Sequence, residues 1–355
     1  MCGIVGLFVG CAALAYCPRQ LSAEASVDPA PAGSPPADSS GTGDYRSPFG
    51  SWYERSSVRA APRREVEVRP GADRFFSPEL VPVAGHPLVA ALPPERFDRL
   101  LLHHLYRYLD FTEKLETLVV NRTAVGIAQG SVGVTVPEAM RFDAYKIYCD
   151  EAYHALFSAD LARQAHRVSG VAPVLPAEPY FLRRLRALIE DGNQDIAPLV
   201  ELLFVIVSET LISASLSEVP DDPKVVPAVR ESIRDHALDE GRHHAYFAAF
   251  LRHLWAELDP AERHRAALLV PDLVHAFLQP DRAAMHAELG RHGLTGDQAR
   301  QVVAETLTDE VVNSHTAATA RLTLRHLAAL DAFRTSEVQE RFFRAGIPLN
   351  MERDT

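Results

Sequence analysis

The chain has 355 residues, of which 47% are hydrophobic and 23% charged, values typical of a folded globular protein with a sizeable core. Its formal net charge of −11 excludes a general nucleic-acid binder, because that function requires a basic face. Four cysteines cannot form a disulfide framework in a chain of this length, so we expect a reducing, cytoplasmic location.

Residues 1–47 are predicted to be an extension without a fold of its own. Residues 3–16 form an uncharged apolar run that is short for a membrane span, and no Lys or Arg precedes it, so export is the less favoured alternative. The opening MCGIVG resembles the start of class II glutamine amidotransferases, but the β-rich continuation that such a domain needs does not follow. Residues 28–43 are rich in Pro, Ala, Ser and Gly, which predicts a disordered linker.

Residues 48–92 are predicted to be an extended arm that packs on the main body. The segment is basic and aromatic around Trp52, and it is apolar with spaced prolines from Phe75 to Val89. Because proline lacks a backbone N–H and restricts its neighbours, we expect no regular structure in this arm.

From Pro93 onward, apolar residues recur at helical spacing, and no run alternates as a half-buried strand would. Five helices are predicted at about 93–129, 137–170, 180–190, 196–218 and 226–258, with prolines at several of their boundaries. Three or four more are expected between residues 261 and 345, and residues 346–355 form a tail. The chain is therefore predicted to be all-α, with residues 93–345 forming a large helical bundle that includes additional C-terminal helices.

Charged residues on the apolar faces of the long helices are the most informative feature of the sequence. Glu209 is the only charge in residues 202–212, and a carboxylate buried there must be protonated, paired or bound to a cation. Glu116 projects into the apolar face of the first helix. The opposite face of that helix is predicted to be solvated and carries Arg107, Asp110, Lys114 and Asn121.

Two other helices each carry a Glu-x-x-His pair on an inward face. Glu151 lies one turn from His154, Glu240 lies one turn from His243, and His236 lies one turn before Glu240. The ferritin-like dimetal-carboxylate bundle has this pattern. It takes one Glu from each of two helices and a Glu-x-x-His pair from each of two others. The mixed oxygen and imidazole donors suit iron or manganese better than structural zinc. Buried ion pairs are the alternative, although no inward Lys or Arg balances the acids.

An aspartate precedes each Glu-x-x-His pair. Asp150 and Asp239 could accept the free N–H of a ligand His on the partner helix and so fix its tautomer. Arg242 could in turn hold such an aspartate. Ordinary solvent-exposed charges are the alternative interpretation of these three residues.

The seven inward residues, in this order and at these intervals, resemble those of the diiron N-oxygenases typified by p-aminobenzoate N-oxygenase. In that family seven residues, three of them His, bind two irons, and His236 is the residue beyond the usual six. The segments WYERSSVRAAPRRE (52–65) and LVPVAGHPLV (80–89) also look like the arm that precedes the bundle in that family. The resemblance covers about residues 48–330. It implies that the iron ligands are Glu116, Glu151, His154, Glu209, His236, Glu240 and His243.

The resemblance also implies an activity, in which O2 is the co-substrate and an amine nitrogen is oxidised. Family members commonly convert arylamines through hydroxylamine and nitroso products to nitro compounds in natural-product pathways such as antibiotic biosynthesis. Two iron ions (Fe²⁺/Fe³⁺) would be the cofactor, and no catalytic nucleophile is expected. Electrons would come from a separate reductase or ferredoxin, because the sequence has no nucleotide-binding fingerprint and no iron–sulfur motif. The amine substrate could be free or carrier-bound, and a homodimer is expected.

Two other functions remain open. A diiron hydroxylase or desaturase would act on C–H bonds with the same metal pair, although His236 favours the N-oxygenase. A ferritin-like iron storage protein or a radical-generating subunit would need no amine substrate, and Tyr148 or Tyr153 would carry the radical.

The substrate pocket is predicted from positions one or two turns from the ligands and from a late helix. These candidates are Tyr108, Thr112, Val119, Val205, Ser213, His315 and Arg321. Core packing is the alternative for the pocket residues near the ligands. Arg321 or Arg325 could bind a substrate carboxylate, because a guanidinium matches it bidentately, and a surface salt bridge is the alternative.

Overall fold

The computed structural model describes residues 45–69, 71–216 and 222–349, except that of residues 213–216 only the backbone is described. The predictions for residues 1–44 and 350–355 lie outside the described residues. Within the described ranges the chain contains fourteen α-helices and no strand, which confirms the predicted all-α fold class. One isolated bridge pairs Arg74 of the arm with Val225.

The arm packs on the bundle but is more structured than predicted. It contains three single-turn helices and one 3₁₀ turn: α1 (Trp52–Arg55), α2 (Ser57–Ala60), the 3₁₀ turn (Pro78–Leu80) and α3 (Pro87–Ala90). Pro78 and Pro87 stand in the first turn of their helices, where the missing N–H is not needed. The expectation of no regular structure was therefore wrong, because proline starts these turns as readily as it ends longer helices.

The main body contains the long helices that the periodicity predicts. They are α4 (Pro94–Leu115), α5 (Asn121–Gln129), α6 (Glu138–Ser169), α7 (Tyr180–Glu190), α8 (Ala197–Leu216) and α9 (Pro227–Glu257). Gly130 and Gly170 end α5 and α6 in the left-handed conformation that glycine adopts without strain. Helices α4 and α5 pack against α6, α8 packs against α9, and α6 packs against α9, which completes the bundle.

The first long helix contains an irregularity that the sequence analysis did not predict. Residues Glu116–Val120 form a π-helical turn between α4 and α5. Such a turn accommodates one extra residue, so the side chains that follow it are rotated relative to a continuous α-helix. Glu116 stands at its first position.

Five helices follow α9, one more than the largest number predicted. They are α10 (Pro260–Leu278), α11 (Arg282–Arg291), α12 (Gly296–Thr306), α13 (Asp309–Ala328) and α14 (Ser336–Arg344). Asp259 and Glu262 form a capping box at the start of α10. Pro260 is the first residue of this helix and also stands just after the end of α9. Helices α10 and α13 pack against α8, and α13 also contacts α9.

The face of α4 that was predicted to be solvated is largely covered. Asn121 is buried, and Arg107 forms an ion pair with Glu288 of α11. A helical wheel of α4 cannot anticipate this, because the covering helix lies far along the sequence. No helix in the described part of the chain has the length and apolar character needed to cross a membrane.

Candidate metal centre

Six of the seven predicted ligands form two overlapping groups in the middle of the bundle. The first group is Glu151, His154, His236 and Glu240, and the second is Glu151, Glu209, Glu240 and His243. Within each group, one donor atom of every residue lies within 4.8 Å of the others. Because Glu151 and Glu240 belong to both groups, the arrangement offers two neighbouring cation positions with two carboxylates between them.

Glu116 belongs to neither group, yet its carboxyl faces the same centre. Burial, followed by the charges of Glu151, Glu209 and Glu240, raises the pKa of Glu116 well above its usual value. Glu116 stands at the junction between α4 and the π-helical turn. Turns of this kind occur frequently at functional sites.

Each of these helices carries its candidate ligands on a buried face. All seven side chains belong to residues that are at most 1% exposed. Glu209 is the only charged residue in this part of α8, and its neighbours Ser208, Thr210 and Leu211 are also buried, so that carboxylate has no route to solvent.

The separations between donor atoms are those of neighbouring ligands around a shared ion. His154 Nδ1 lies 2.7 Å from Glu151 Oε2 and 3.6 Å from Glu240 Oε1. His243 Nδ1 lies 2.7 Å from Glu151 Oε1 and 3.4 Å from Glu240 Oε1, and His236 Nε2 lies 3.1 Å from Glu240 Oε1. Two ligands that are each about 2.1 Å from a metal ion, at right angles, stand about 3 Å apart.

Most of these inward donor atoms make no hydrogen bond of normal geometry in the described chain. They are Glu116 Oε2, Glu151 Oε1, both oxygens of Glu209 and Glu240, both ring nitrogens of His236, and His243 Nδ1. Buried polar atoms nearly always have a partner, and an unpaired buried carboxylate costs several kcal/mol or more. The residues present therefore fit a pair of divalent cations.

Raised pKa values indicate how strongly these groups act on one another. Burial and neighbouring carboxylates raise the pKa of Glu209 well above its usual value. Burial alone would lower the pKa of His154, but Glu151 and Asp239 outweigh it and raise that pKa to about 10. Protons are thus retained where negative charge is concentrated, and bound cations would displace them.

The two aspartates contact the histidines of the partner helices. Asp239 of α9 lies 3.0 Å from His154 Nε2, and Asp150 of α6 lies 3.2 Å from His243 Nε2. Both rings therefore direct Nδ1 to the centre and Nε2 to a carboxylate, an arrangement that fixes the tautomer of a metal-binding imidazole. Arg242 forms an ion pair with Asp239.

Two residues of the arm form hydrogen bonds with these aspartates, and the sequence did not predict either of them. Trp52 Nε1 donates to both oxygens of Asp150 at 2.9 Å. The Ser57 backbone N–H donates to Asp239 at 3.2 Å, and its hydroxyl contacts the same carboxylate. Their partners lie 98 and 182 positions away in sequence, so only the aromatic character of the arm hinted at a specific role.

Within the described residues, the predicted pocket residues lie in different environments. Tyr108, Thr112 and Val205 are buried in the core, His315 is partly buried on α13, and Arg321 is exposed. Ser213 lies in α8, but its side chain is outside the described residues.

Val119 does line a cleft, of about 400 Å³, formed by residues of α5, α7, the π-helical turn and the start of α8. Its lining includes Leu118, Val119, Leu182, Leu185, Ile189 and Leu202, with Arg122, Arg186, Glu178 and Glu201 as charged residues. Val119 follows Glu116 by three residues, and Leu202 precedes Glu209 by seven, so the cleft adjoins both carboxylate-bearing helices. A concave, mainly apolar cleft with a few charged groups is typical of a small-molecule site.

Comparison with known proteins relates the chain to one family. The family model described as p-aminobenzoate N-oxygenase AurF matches residues 48–331, which include the arm and every predicted ligand. The chain is also similar to the 4-aminobenzoate N-oxygenase of Streptomyces thioluteus, with 26% identity over 234 residues. That alignment covers 64% of this chain and 68% of the relative.

Proposed function

Because the chain belongs to the p-aminobenzoate N-oxygenase family and is therefore an oxygenase, we propose that it uses O2 and two bound iron ions to oxidise the nitrogen of an arylamine. The observation that carries this proposal is the pair of overlapping buried donor groups that share Glu151 and Glu240. The proposed ligands are Glu116, Glu151, His154, Glu209, His236, Glu240 and His243. Two irons held close together supply a binding position and electrons for O2.

The protein residues contribute charge, orientation and exclusion of water. Four carboxylates offset the charge of two divalent ions, which makes the burial of both sets favourable together. Asp150 and Asp239 hold the rings of His243 and His154 in the orientation that directs Nδ1 inward. The apolar residues of α8 keep water away from the reacting centre.

We propose that the amine substrate binds in the cleft beside Val119. The named relative acts on 4-aminobenzoate, which has an amine and a carboxylate at opposite ends of a ring. Arg122 lines the cleft and is exposed, so its guanidinium is placed to bind a carboxylate, while the apolar lining contacts the ring. The amine would then point towards Glu116 and Glu209.

Other parts of the proposal concern the electron donor, the products, the oligomeric state and the pathway. A separate reductase or ferredoxin would supply electrons, the products would range from hydroxylamine through nitroso to nitro, and the chain would act as a homodimer in natural-product biosynthesis. These statements rest on the family resemblance.

The decisive experiment uses the full chain loaded anaerobically with Fe²⁺ and given a reductant, ¹⁸O2 and a panel of amines. We expect an N-oxygenated arylamine carrying ¹⁸O, detected by mass spectrometry, and about two irons per chain by metal analysis. Hydroxylation of carbon with every amine unchanged would instead identify a C–H hydroxylase. Many irons per assembly without turnover would identify a storage protein.

A further inference from the structure

A second cluster of buried metal-binding residue types lies outside the dimetal centre. His103 of α4 meets Glu288 and His292 at the carboxyl end of α11, and one donor atom from each lies within 4.8 Å of the others. All three residues are buried. His103 precedes Glu116 by thirteen residues, which is about 20 Å along a helix, so the two clusters are distinct.

The donor atoms of this cluster are poorly satisfied. Nε2 of His292 makes no hydrogen bond in the described chain, the His103 ring interacts with the backbone of Ala172 only weakly, and Oε2 of Glu288 is paired with Arg107. Buried imidazoles without partners are uncommon, because each forfeits the hydrogen bonds it would make in water.

The protonation state of both imidazoles suits a metal ligand. Burial, together with the charge of Arg107, lowers the pKa of His103. Burial, His103 and Arg107 lower the pKa of His292 to about 4. Both rings are therefore neutral near pH 7 and have a lone pair available for a cation.

We propose that His103, Glu288 and His292 bind a zinc ion that joins α11 to α4. Two neutral imidazoles and one carboxylate, with water in the fourth position, form a tetrahedral set that zinc accepts. Glu288 and His292 are one helical turn apart, as ligands from a single helix must be.

Arg107 is the main competitor for the carboxylate in this cluster. It forms an ion pair with Glu288, and His104 Nε2 lies 3.4 Å from the same oxygen. A carboxylate has two oxygens, and metal-binding carboxylates commonly accept hydrogen bonds from neighbouring groups. Arg107 would then orient Glu288 towards the zinc ion.

The test is anomalous scattering at the zinc edge from crystals of the full, unaltered chain grown with zinc. We expect a peak enclosed by His103, Glu288 and His292, in addition to any metal at the dimetal centre. Zinc found only at the dimetal centre, or nowhere, would overturn the proposal. Neither result depends on N-oxygenase activity.

Metal analysis of three variants gives an independent readout. His103→Asn and His292→Asn should lower bound zinc from about one ion per chain by at least tenfold and leave iron unchanged. His286→Asn, on the same helix but outside the cluster, should retain the zinc. Retention of zinc by both cluster variants would contradict the assignment, and if they fail to fold, the scattering experiment still decides.

Discussion

At the scale of single residues, the centre of the bundle is a concentration of buried carboxyl groups that bound cations would stabilise. Glu209 stands in an apolar helix with neither carboxylate oxygen hydrogen-bonded in the described chain, and Glu116 has one such oxygen. Burial raises the pKa of both groups, which means that each resists carrying its charge without a counterion. The energetic cost of these residues in the metal-free protein and the affinity for iron that we propose for them have the same cause.

This relation predicts opposite effects for Glu209→Gln in the two states of the protein. The metal-free variant should unfold at a temperature equal to or above that of the parent, because a buried acid has been replaced by a neutral amide of similar size. The rise in unfolding temperature on anaerobic addition of Fe²⁺ should shrink or disappear. Thermal unfolding with and without Fe²⁺ measures both effects.

Glu201→Gln is the matched control, since Glu201 lies on the same helix at the edge of the cleft. It should keep the full Fe²⁺-dependent stabilisation. An equal loss in both variants would mean that Glu209 has no special part in binding the metal.

Arg122 allows a prediction about substrate selection. Arg122→Gln should raise KM about tenfold for an arylamine with a carboxylate, because a charge-assisted hydrogen-bond pair is lost. KM for an arylamine without a carboxylate should not change. Steady-state kinetics on the two substrates separates this role from a general defect.

The control for this experiment lines the same cleft. Arg186 forms an ion pair with Glu178, so Arg186→Gln should leave KM for the carboxylated substrate nearly unchanged. A uniform rise in KM for both substrates, or an equal effect of both variants, would exclude the proposed carboxylate contact.

At the scale of helices and segments, the arm is a structural part of the centre. Trp52 holds Asp150 and Ser57 holds Asp239, and these aspartates contact His243 and His154. Each series of contacts runs from the arm, through an aspartate, to a candidate ligand. The arm therefore stabilises the orientation of both imidazoles from outside the bundle.

Trp52→Phe tests this connection, because it removes the indole N–H and keeps an aromatic ring in place. Leaving the buried Asp150 carboxylate without this donor should lower the free energy of unfolding by about 1–3 kcal/mol. Iron affinity should fall about 10–100-fold, as is typical when a group that orients a ligand is lost. Urea unfolding and competition with a chelator measure the two quantities.

Tyr53→Phe serves as the control, since Tyr53 is the exposed neighbour of Trp52 in α1. It should change neither quantity appreciably. Unaltered iron affinity in Trp52→Phe would show that the hydrogen bond to Asp150 has no influence on the centre.

These segments also show what the sequence could and could not predict. The bounds of α6, α7 and α9 were predicted within one or two residues, because helical periodicity and the prolines or glycines at their ends are local signals. The π-helical turn and the contacts of Trp52 depend on packing between distant segments. The solvated face assigned to α4 was wrong for the same reason, since α11 covers Arg107.

The candidate ligands were predictable for a different reason. A charge such as Glu209 within an apolar helix is visible without knowing what packs around it, and spacing places Glu151 beside His154. The separation of Glu116 from the two donor groups was not predictable, because it depends on how the helices pack against one another. The substrate pocket stays a prediction, since a cavity depends on how several helices pack together and not on the spacing within one helix.

At the scale of the whole molecule, the C-terminal helices cover one side of the bundle, and within the described residues one face of α6 stays exposed. Helices α10 and α13 cover α8, and Arg107 of α4 pairs with α11. In contrast, the outer face of α6 carries Phe142, Tyr145 and Leu156, with exposures of 53%, 49% and 63%. Single exposed apolar residues are common, but an aligned series on one helix is typical of an interface.

The spacing on α6 matches the packing of two helices. Residues 142, 145, 149, 152 and 156 are all exposed and alternate in steps of three and four, which is the spacing of a coiled-coil seam. We expect the homodimer implied by the family resemblance to cover this face with α6 of a second copy. Tyr145→Glu combined with Leu156→Glu should then shift the mass measured by sedimentation from dimer to monomer. Iron content should stay unchanged, because both side chains point away from the buried ligands.

Phe343→Glu is the control for a general effect of added charge, because Phe343 is 83% exposed on α14. This variant should remain a dimer under the same conditions. A parent chain that sediments as a monomer, or a dimer that survives both substitutions on α6, would refute this interface. Since the predicted seam lies on the opposite side of α6 from Glu151 and His154, loss of the dimer should also leave the iron-dependent stabilisation intact.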